Sequence, residues 1–137
     1  MSHVTVRVLL VEDDAVDRLA CRRALAAQSD YVFEVADADT ARAGLSHVHA
    51  EVPDLILLDY RLPDMDGHEV ARALREVTQT PLLFLTARSE EEDVLSGMAS
   101  GAAAYITKPF LPRALKEAAL GLAGLQGRTK LPATGKP

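Results

Sequence analysis

The chain has 137 residues, 48% of them hydrophobic and 26% charged, which is room and composition for one globular domain and not for two of ordinary size. A single cysteine, Cys21, rules out a disulfide framework or a cysteine-rich zinc site, and 20 acidic against 15 basic residues leave a net charge of −5 that draws in neither nucleic-acid backbones nor anionic lipid. No apolar run reaches the roughly 18 residues of a membrane span and residues 1–7 carry no export pattern, so the expectation is a cytoplasmic protein with no membrane and no direct nucleic-acid partner.

In chain order, the first predicted strand is Val6 to Val11, followed by a helix over Ala15 to Ala27 with Ala20, Cys21, Ala24 and Leu25 on one face and Arg18, Arg22 and Arg23 off it. A strand at Tyr31 to Val35 leads to a weaker helical stripe of Ala41, Leu45 and Val48. The third strand, Leu55 to Leu58, precedes a helix opened by the capping box Asp66-x-x-Glu69 and carrying Val70, Leu74 and Val77 inward. Leu82 to Leu85 is the fourth strand. The next helix starts at a second box, Ser89-x-x-Glu92, presents Val94, Leu95 and Met98, and stops at Gly101. A fifth strand, Ala103 to Ile106, and a helix from Leu111 to Leu125 with the stripe Leu111, Leu115, Ala118 and Leu122 complete a domain over residues 1–125. Residues 126–137, in a stretch rich in Gly, Pro and Lys, read as a flexible tail or linker stub.

Three strands, Val8 to Val11, Leu55 to Leu58 and Leu82 to Leu85, are continuously apolar where a half-exposed strand would alternate. Both of their faces must be covered. Strands of this kind alternating with helices specify an α/β fold, with a parallel sheet and right-handed crossovers. Ligands in such folds gather beyond the carboxyl ends of the strands. Those ends read Glu12-Asp13-Asp14, Asp59-Tyr60-Arg61, Thr86-Ala87-Arg88 and Thr107-Lys108-Pro109.

Glu12, Asp13 and Asp59 bring three carboxylates to one edge, where each raises the pKa of the others unless a cation intervenes. A hard divalent cation such as Mg²⁺ suits carboxylate and phosphate oxygens. Lys108 and Thr86 add a positive charge and a hydroxyl donor, which together make equipment for phosphoryl transfer to a carboxylate.

The segments Leu9-Leu10-Val11-Glu12-Asp13-Asp14, Leu57-Leu58-Asp59-Tyr60-Arg61-Leu62-Pro63-Asp64-Met65-Asp66-Gly67, Leu85-Thr86-Ala87 and Tyr105-Ile106-Thr107-Lys108-Pro109-Phe110 closely resemble the receiver domain of two-component response regulators. The resemblance covers residues 5–125 and rests on four strings in the right order, each ending a strand. It implies a (βα)5 flavodoxin-like three-layer sandwich with strand order 2-1-3-4-5. It also implies that Asp59 accepts a phosphoryl group from a sensor histidine kinase or a histidine phosphotransfer protein. The metal, Mg²⁺ or Mn²⁺, would then be held by Asp13, Asp59, the Arg61 backbone carbonyl and, through water, Glu12. Lys108, Thr86 and Ala87 would meet the phosphoryl oxygens, the Lys108-Pro109 peptide would be cis, and Thr86 with Tyr105 would form the switch pair. That pair would reshape the face of the fourth helix, fifth strand and fifth helix for an output domain, a downstream protein or a phosphorylation-linked homodimer. On the same resemblance, the helix-one arginines Arg18 and Arg22 and the helix-three surface would meet the kinase, and Arg61 and Arg88 would tune phosphoryl lifetime. The protein would be a signalling receiver with slow autodephosphorylation rather than an enzyme acting on a metabolite.

Other readings are weaker. A haloacid-dehalogenase-like phosphatase needs a second acid two residues after its nucleophile, where this chain has Arg61, and a flavodoxin-like cofactor site needs a phosphate-cradling loop where this chain has Glu12-Asp13-Asp14. A calcium loop on Asp64 and Asp66 would put Leu62 and Ala73 at ligand positions. Residues 126–137 hold no helix-turn-helix segment, so a direct transcription factor is not the expectation. Asp14 reads as a helix cap, Cys21 as an inert thiol, and His3, His47, His49 and His68 as solvated surface.

Overall fold

The computed structural model describes residues 4–26, 31–96 and 104–124. Five strands, β1 (Val4–Val11), β2 (Tyr31–Ala38), β3 (Leu55–Asp59), β4 (Leu82–Ala87) and β5 (Ala104–Lys108), alternate with five helices, α1 (Ala15–Ala26), α2 (Ala41–Ala50), α3 (Gly67–Arg75), α4 (Glu91–Ser96) and α5 (Pro112–Leu122). The strands form one parallel sheet of order β2-β1-β3-β4-β5. This is the flavodoxin-like α/β architecture expected from the sequence.

The alternation of side chains along each strand builds two cores. Leu55 and Leu57 of β3 pack with Val8, Leu10, Cys21, Leu25, Leu83, Leu85 and Leu115 on the α1/α5 face, while Ile56 and Leu58 pack with Leu9, Val11, Val48, Val70, Leu74, Phe84 and Val94 on the other. Every residue of β3 is buried, whereas β5 at the edge is only half-buried throughout. The register sets Val11 beside Ala38 on one side and Leu58 on the other, Asp59 beside Leu85, and Ala87 beside Lys108. All the chemically interesting strand ends therefore open on one edge, next to the point where the chain reverses from β1–β2 to β3.

Caps fix the loops around that edge. Asp66 and Glu69 form the expected capping box of α3, and Thr40 accepts from the Ala43 amide at the start of α2. Asp64 caps α2 from a distant loop: its carboxylate accepts from the Ala41 and Arg42 amides at 2.9 and 3.1 Å. Neither Asp64 nor Asp66 belongs to a calcium loop.

Several boundaries differ from the sequence reading. β2 runs on to Ala38, and Ala20 is exposed on α1. Val77 lies beyond α3 and is 42% exposed, because Arg75 ends the helix and donates to the Thr78 and Thr80 carbonyls, turning the chain away. Leu111 is 71% exposed and outside α5. Pro112 starts the helix and holds the preceding residue extended. Ser89 sits inside a 3-10 turn, Arg88–Glu90, with Ala87 as its flanking residue, so it is not the cap of α4, and Leu95 points to solvent. Met98, Gly101, Ala103, Leu125 and the tail lie outside the described residues. Gly124 closes α5 with φ +76°, a conformation that favours glycine.

Two glycines separate close packing from helix propensity. A Cβ on Gly67 would stand 2.7 Å from Tyr60 Cδ1 and 2.8 Å from Phe84 Cε1, whereas one on exposed Gly121 within α5 would meet nothing within 4 Å. Gly67→Ala should lower the urea-unfolding free energy by about 1–3 kcal/mol, and Gly121→Ala should raise it by up to about 1 kcal/mol. Equal effects of the two would contradict the packing described.

Candidate functional site

The edge of the sheet gathers the residues that the sequence reading picked out. Glu12 follows β1 and is fully buried, Asp59 ends β3 at 6% exposure, and Asp13 is exposed beside them. Each offers a carboxylate oxygen within 4.8 Å of the others. Oxygen donors at that spacing fit a hard divalent cation. Glu12 is held firmly: its amide donates to the Ala38 carbonyl, its carbonyl accepts from Arg18, and its Oε2 accepts from the Asp14 amide at 3.1 Å.

Lys108 reaches across from β5. Its Nζ lies 3.1 Å from Glu12 Oε1, 3.4 Å from Asp59 Oδ1 and 2.8 Å from Asp17 Oδ2. Burial acts most strongly on this ammonium and would depress its pKa. The hydrogen bond to Asp17 and the charges of Asp59 and Glu12 outweigh it, and the group is held above its ordinary value. Burial pushes the Glu12 carboxyl up to about 7, with the Asp59 charge adding to it and the Asp14 amide and Lys108 acting against it. Asp59 is also raised, by burial first, despite Lys108 and a hydrogen bond from the Arg61 backbone. The Lys108-Pro109 peptide is cis.

Thr86, fully buried at the end of β4, turns its hydroxyl to the Ala87 carbonyl at 3.2 Å. Tyr105 is half-buried and donates its hydroxyl to Glu91 at 2.7 Å. Arg61 reaches over to pair with Glu90. The site thus brings together Glu12, Asp13, Asp59 and Lys108, while the Thr86 and Tyr105 hydroxyls bond to the Ala87 carbonyl and to Glu91.

One reading needs correction. His68 is not a solvated surface histidine: it stacks edge-on against Tyr60 and Phe84, with ring centroids 5.1 and 5.6 Å away, and its Nε2 donates to the Asp93 carbonyl at 3.0 Å. Arg18 donates to the Glu12 carbonyl, while Arg22 pairs with Asp37 and the Val35 carbonyl and keeps its side chain 44% exposed on the α1 surface. Asp17 was missed altogether. Asp14 and Cys21 behave as read: Asp14 accepts from the Val16 amide at the start of α1, and burial, reinforced by Glu12 and Asp17, pushes the Cys21 thiol up to about 12.

Glu12 gives the site a pH signature. Its carboxyl titrates near 4.5 in the unfolded chain and about 7 in the fold, so the folded state holds the extra proton between these values. The stability it contributes is complete below pH 4.5 and is lost as pH rises through 7. In chelator-treated protein, the unfolding free energy relative to Glu12→Gln should fall by about 3 kcal/mol across that window and level off above it. A difference that rises with pH would contradict the burial of this carboxyl.

Comparison with known proteins places this geometry. The response regulator receiver domain family matches residues 8–120. The transcriptional regulatory protein AfsQ1 of Streptomyces coelicolor is 42% identical over 79% of this chain and 47% of its own length. The KDP operon transcriptional regulatory protein KdpE of Escherichia coli is 44% identical over 75% of this chain and 44% of its own. The chain thus spans about half the length of the curated relatives it matches. These relatives are named as transcriptional regulators and lend no support to the expectation that nucleic acid plays no part. A CheY-like receiver domain structure from Methanospirillum hungatei superposes with a TM-score of 0.77 at 30% identity, covering 90% of this chain and 98% of that one. Among the described residues, no helix is long and apolar enough to cross a membrane. Motifs, strand order and relatives agree, and the chain belongs to the receiver domain family of two-component response regulators.

Proposed function

We propose that this receiver is a cytoplasmic phosphoaspartate switch in which Asp59 takes a phosphoryl group from a histidine of a sensor kinase or of a histidine phosphotransfer protein. The observation that carries the proposal is a buried carboxylate at the end of β3 that shares an edge with Glu12 and Asp13 and lies 3.4 Å from the Lys108 ammonium. In the transfer, an Asp59 oxygen forms a bond to phosphorus as the bond from phosphorus to the imidazole nitrogen breaks. The nitrogen leaves with the electron pair. Lys108 supplies positive charge to the non-reacting phosphoryl oxygens, and Thr86 and the Ala87 backbone supply hydrogen bonds.

Asp13, Asp59 and the Arg61 carbonyl, with Glu12 through water, would hold Mg²⁺ or Mn²⁺, which when bound neutralises charge on the phosphoryl oxygens. The raised carboxyls of Glu12 and Asp59 fit this role, since each holds charge that Lys108 alone does not satisfy. Hydrolysis of the acyl phosphate would reset the switch, and Arg61 and Arg88, each two residues after a site residue, would tune its rate. The haloacid-dehalogenase alternative stays disfavoured, because the side chain two residues after Asp59 is the Arg61 guanidinium, turned toward Glu90.

Phosphorylation would draw the Thr86 hydroxyl from the Ala87 carbonyl toward the phosphoryl group and release Tyr105 from Glu91 to turn inward. The altered α4-β5-α5 face would then meet an output domain, a separate protein or a second copy of the chain. Because relatives of which this chain spans about half are named as transcriptional regulators, DNA contact is assigned to an output domain and not to this acidic receiver.

Incubation with Mg²⁺ and acetyl phosphate should add the mass of one phosphoryl group to the intact chain. Asp59→Asn and chelation should each abolish the gain. Labelling that survives Asp59→Asn would place the acceptor elsewhere and sink the proposal.

A further inference from the structure

The Lys108 ammonium has a contact that the proposed function does not use. Asp17, in the first turn of α1, approaches it to 2.8 Å, closer than Glu12 at 3.1 Å or Asp59 at 3.4 Å. An ammonium has three N–H donors and no acceptor, so three carboxylates engage all of them. Asp17 is not a stray surface acid. It stands one turn before buried Cys21 on the inward stripe of α1, and that turn is fixed by the Asp14 cap and by Arg18 on the Glu12 carbonyl. Its side chain is nevertheless 31% exposed, against 9% for Asp59 and 0% for Glu12, so it meets the ammonium from the solvent side of the pocket.

Resting on the reading of Asp59 as phosphoacceptor, we propose that Asp17 is a positioning residue that holds Lys108 on the α1 side of the pocket and divides its charge between α1 and the phosphoryl oxygens. When acetyl phosphate reacts, an Asp59 oxygen bonds to phosphorus, the bond from phosphorus to the acetyl oxygen breaks, and acetate leaves with the electron pair. The non-reacting oxygens carry negative charge before and during this step, and each contact they make with Lys108 must displace one of the three carboxylates that hold its donors, of which Asp17 is the closest. Because the competition acts alike on bound donor and transition state, it appears in KM and not in kcat.

Asp17→Asn keeps the shape and removes the charge. It should lower the KM for acetyl phosphate about three- to fivefold, the size expected for losing one partly exposed ion pair, and leave kcat within about twofold. Asp17→Glu should restore the wild-type KM. In protein free of metal and donor, the side-chain ¹⁵N signal of Lys108 should move in Asp17→Asn and keep its position in Asp17→Glu. An unchanged or higher KM in Asp17→Asn would overturn the proposal, as would a lower KM with an unmoved Lys108 signal, which would mean that Asp17 acts without Lys108. If the wild-type chain takes no phosphoryl group on Asp59, the proposed function fails on that result alone, and the position of the Lys108 signal still decides whether Asp17 holds the lysine.

Discussion

Lys108 makes it possible for two buried carboxylates to share the edge of this sheet. Removing a carboxylate from water costs on the order of several kcal/mol unless a partner compensates. Glu12 is fully buried, Asp59 nearly so, and the ammonium that reaches both comes from the far strand, β5. The compensation is incomplete in both directions. The lysine stays charged against its own burial because three acids surround it, yet both buried acids are still raised above their ordinary values. A pocket in this condition has negative charge left over, which is what a divalent cation or a rearranged lysine can act on.

The rest of the fold serves that arrangement by keeping polar groups out of the layers and admitting them only at one rim. Among the described residues, the buried polar or charged side chains are Glu12, Asp59, Thr80 and Thr86, and three of these four belong to the site. Thr80 is accounted for locally, by the Pro53 carbonyl and Thr78. Parallel pairing is what brings the three together. It points every strand the same way, and the register places Val11 against Leu58 and Asp59 against Leu85, so the residues that follow the apolar runs arrive at one level. An antiparallel sheet with the same strands would scatter them over two edges.

This division also decides what could be read from the sequence. Continuous apolar runs announced the covered strands, and the polar residues directly after them announced the site, because both signals are local. Stripe-counting failed where a helix end interrupts the period: Val77 and Leu111 continue the spacing of their helices on paper but lie outside them, one after Arg75 bends the chain and the other before Pro112 opens the turn. Asp17 was invisible because its partner is 91 residues away, and a polar residue in the first turn of an amphipathic helix attracts no notice. His68 was likewise hidden, since its spacing does not reveal that Tyr60, just after β3, and Phe84 of β4 converge on it. The partners of Arg18 and Arg22 were hidden for the same reason: the carbonyls and the carboxylate that they bond to lie on other segments.

The segment from Ala87 to Asp93 is fastened differently from the rest of the sheet edge. Tyr105 holds Glu91, Arg61 holds Glu90, and His68 holds the Asp93 carbonyl, while of residues 91–95 only Val94 enters the core. These are contacts through polar tips. Exposed ion pairs contribute about 0–1 kcal/mol each, far less than the apolar packing that fixes β3 and β4. A few such contacts make a segment that can be redirected without unfolding the sheet. One of its anchors, Tyr105, lies three residues before Lys108 on the same strand, and the Thr86 hydroxyl lies one residue before the segment begins. A dianion placed on Asp59 would therefore compete for a lysine and a hydroxyl that sit at either side of a segment fastened mainly through polar tips, which would give a small local charge a mechanical route to α4.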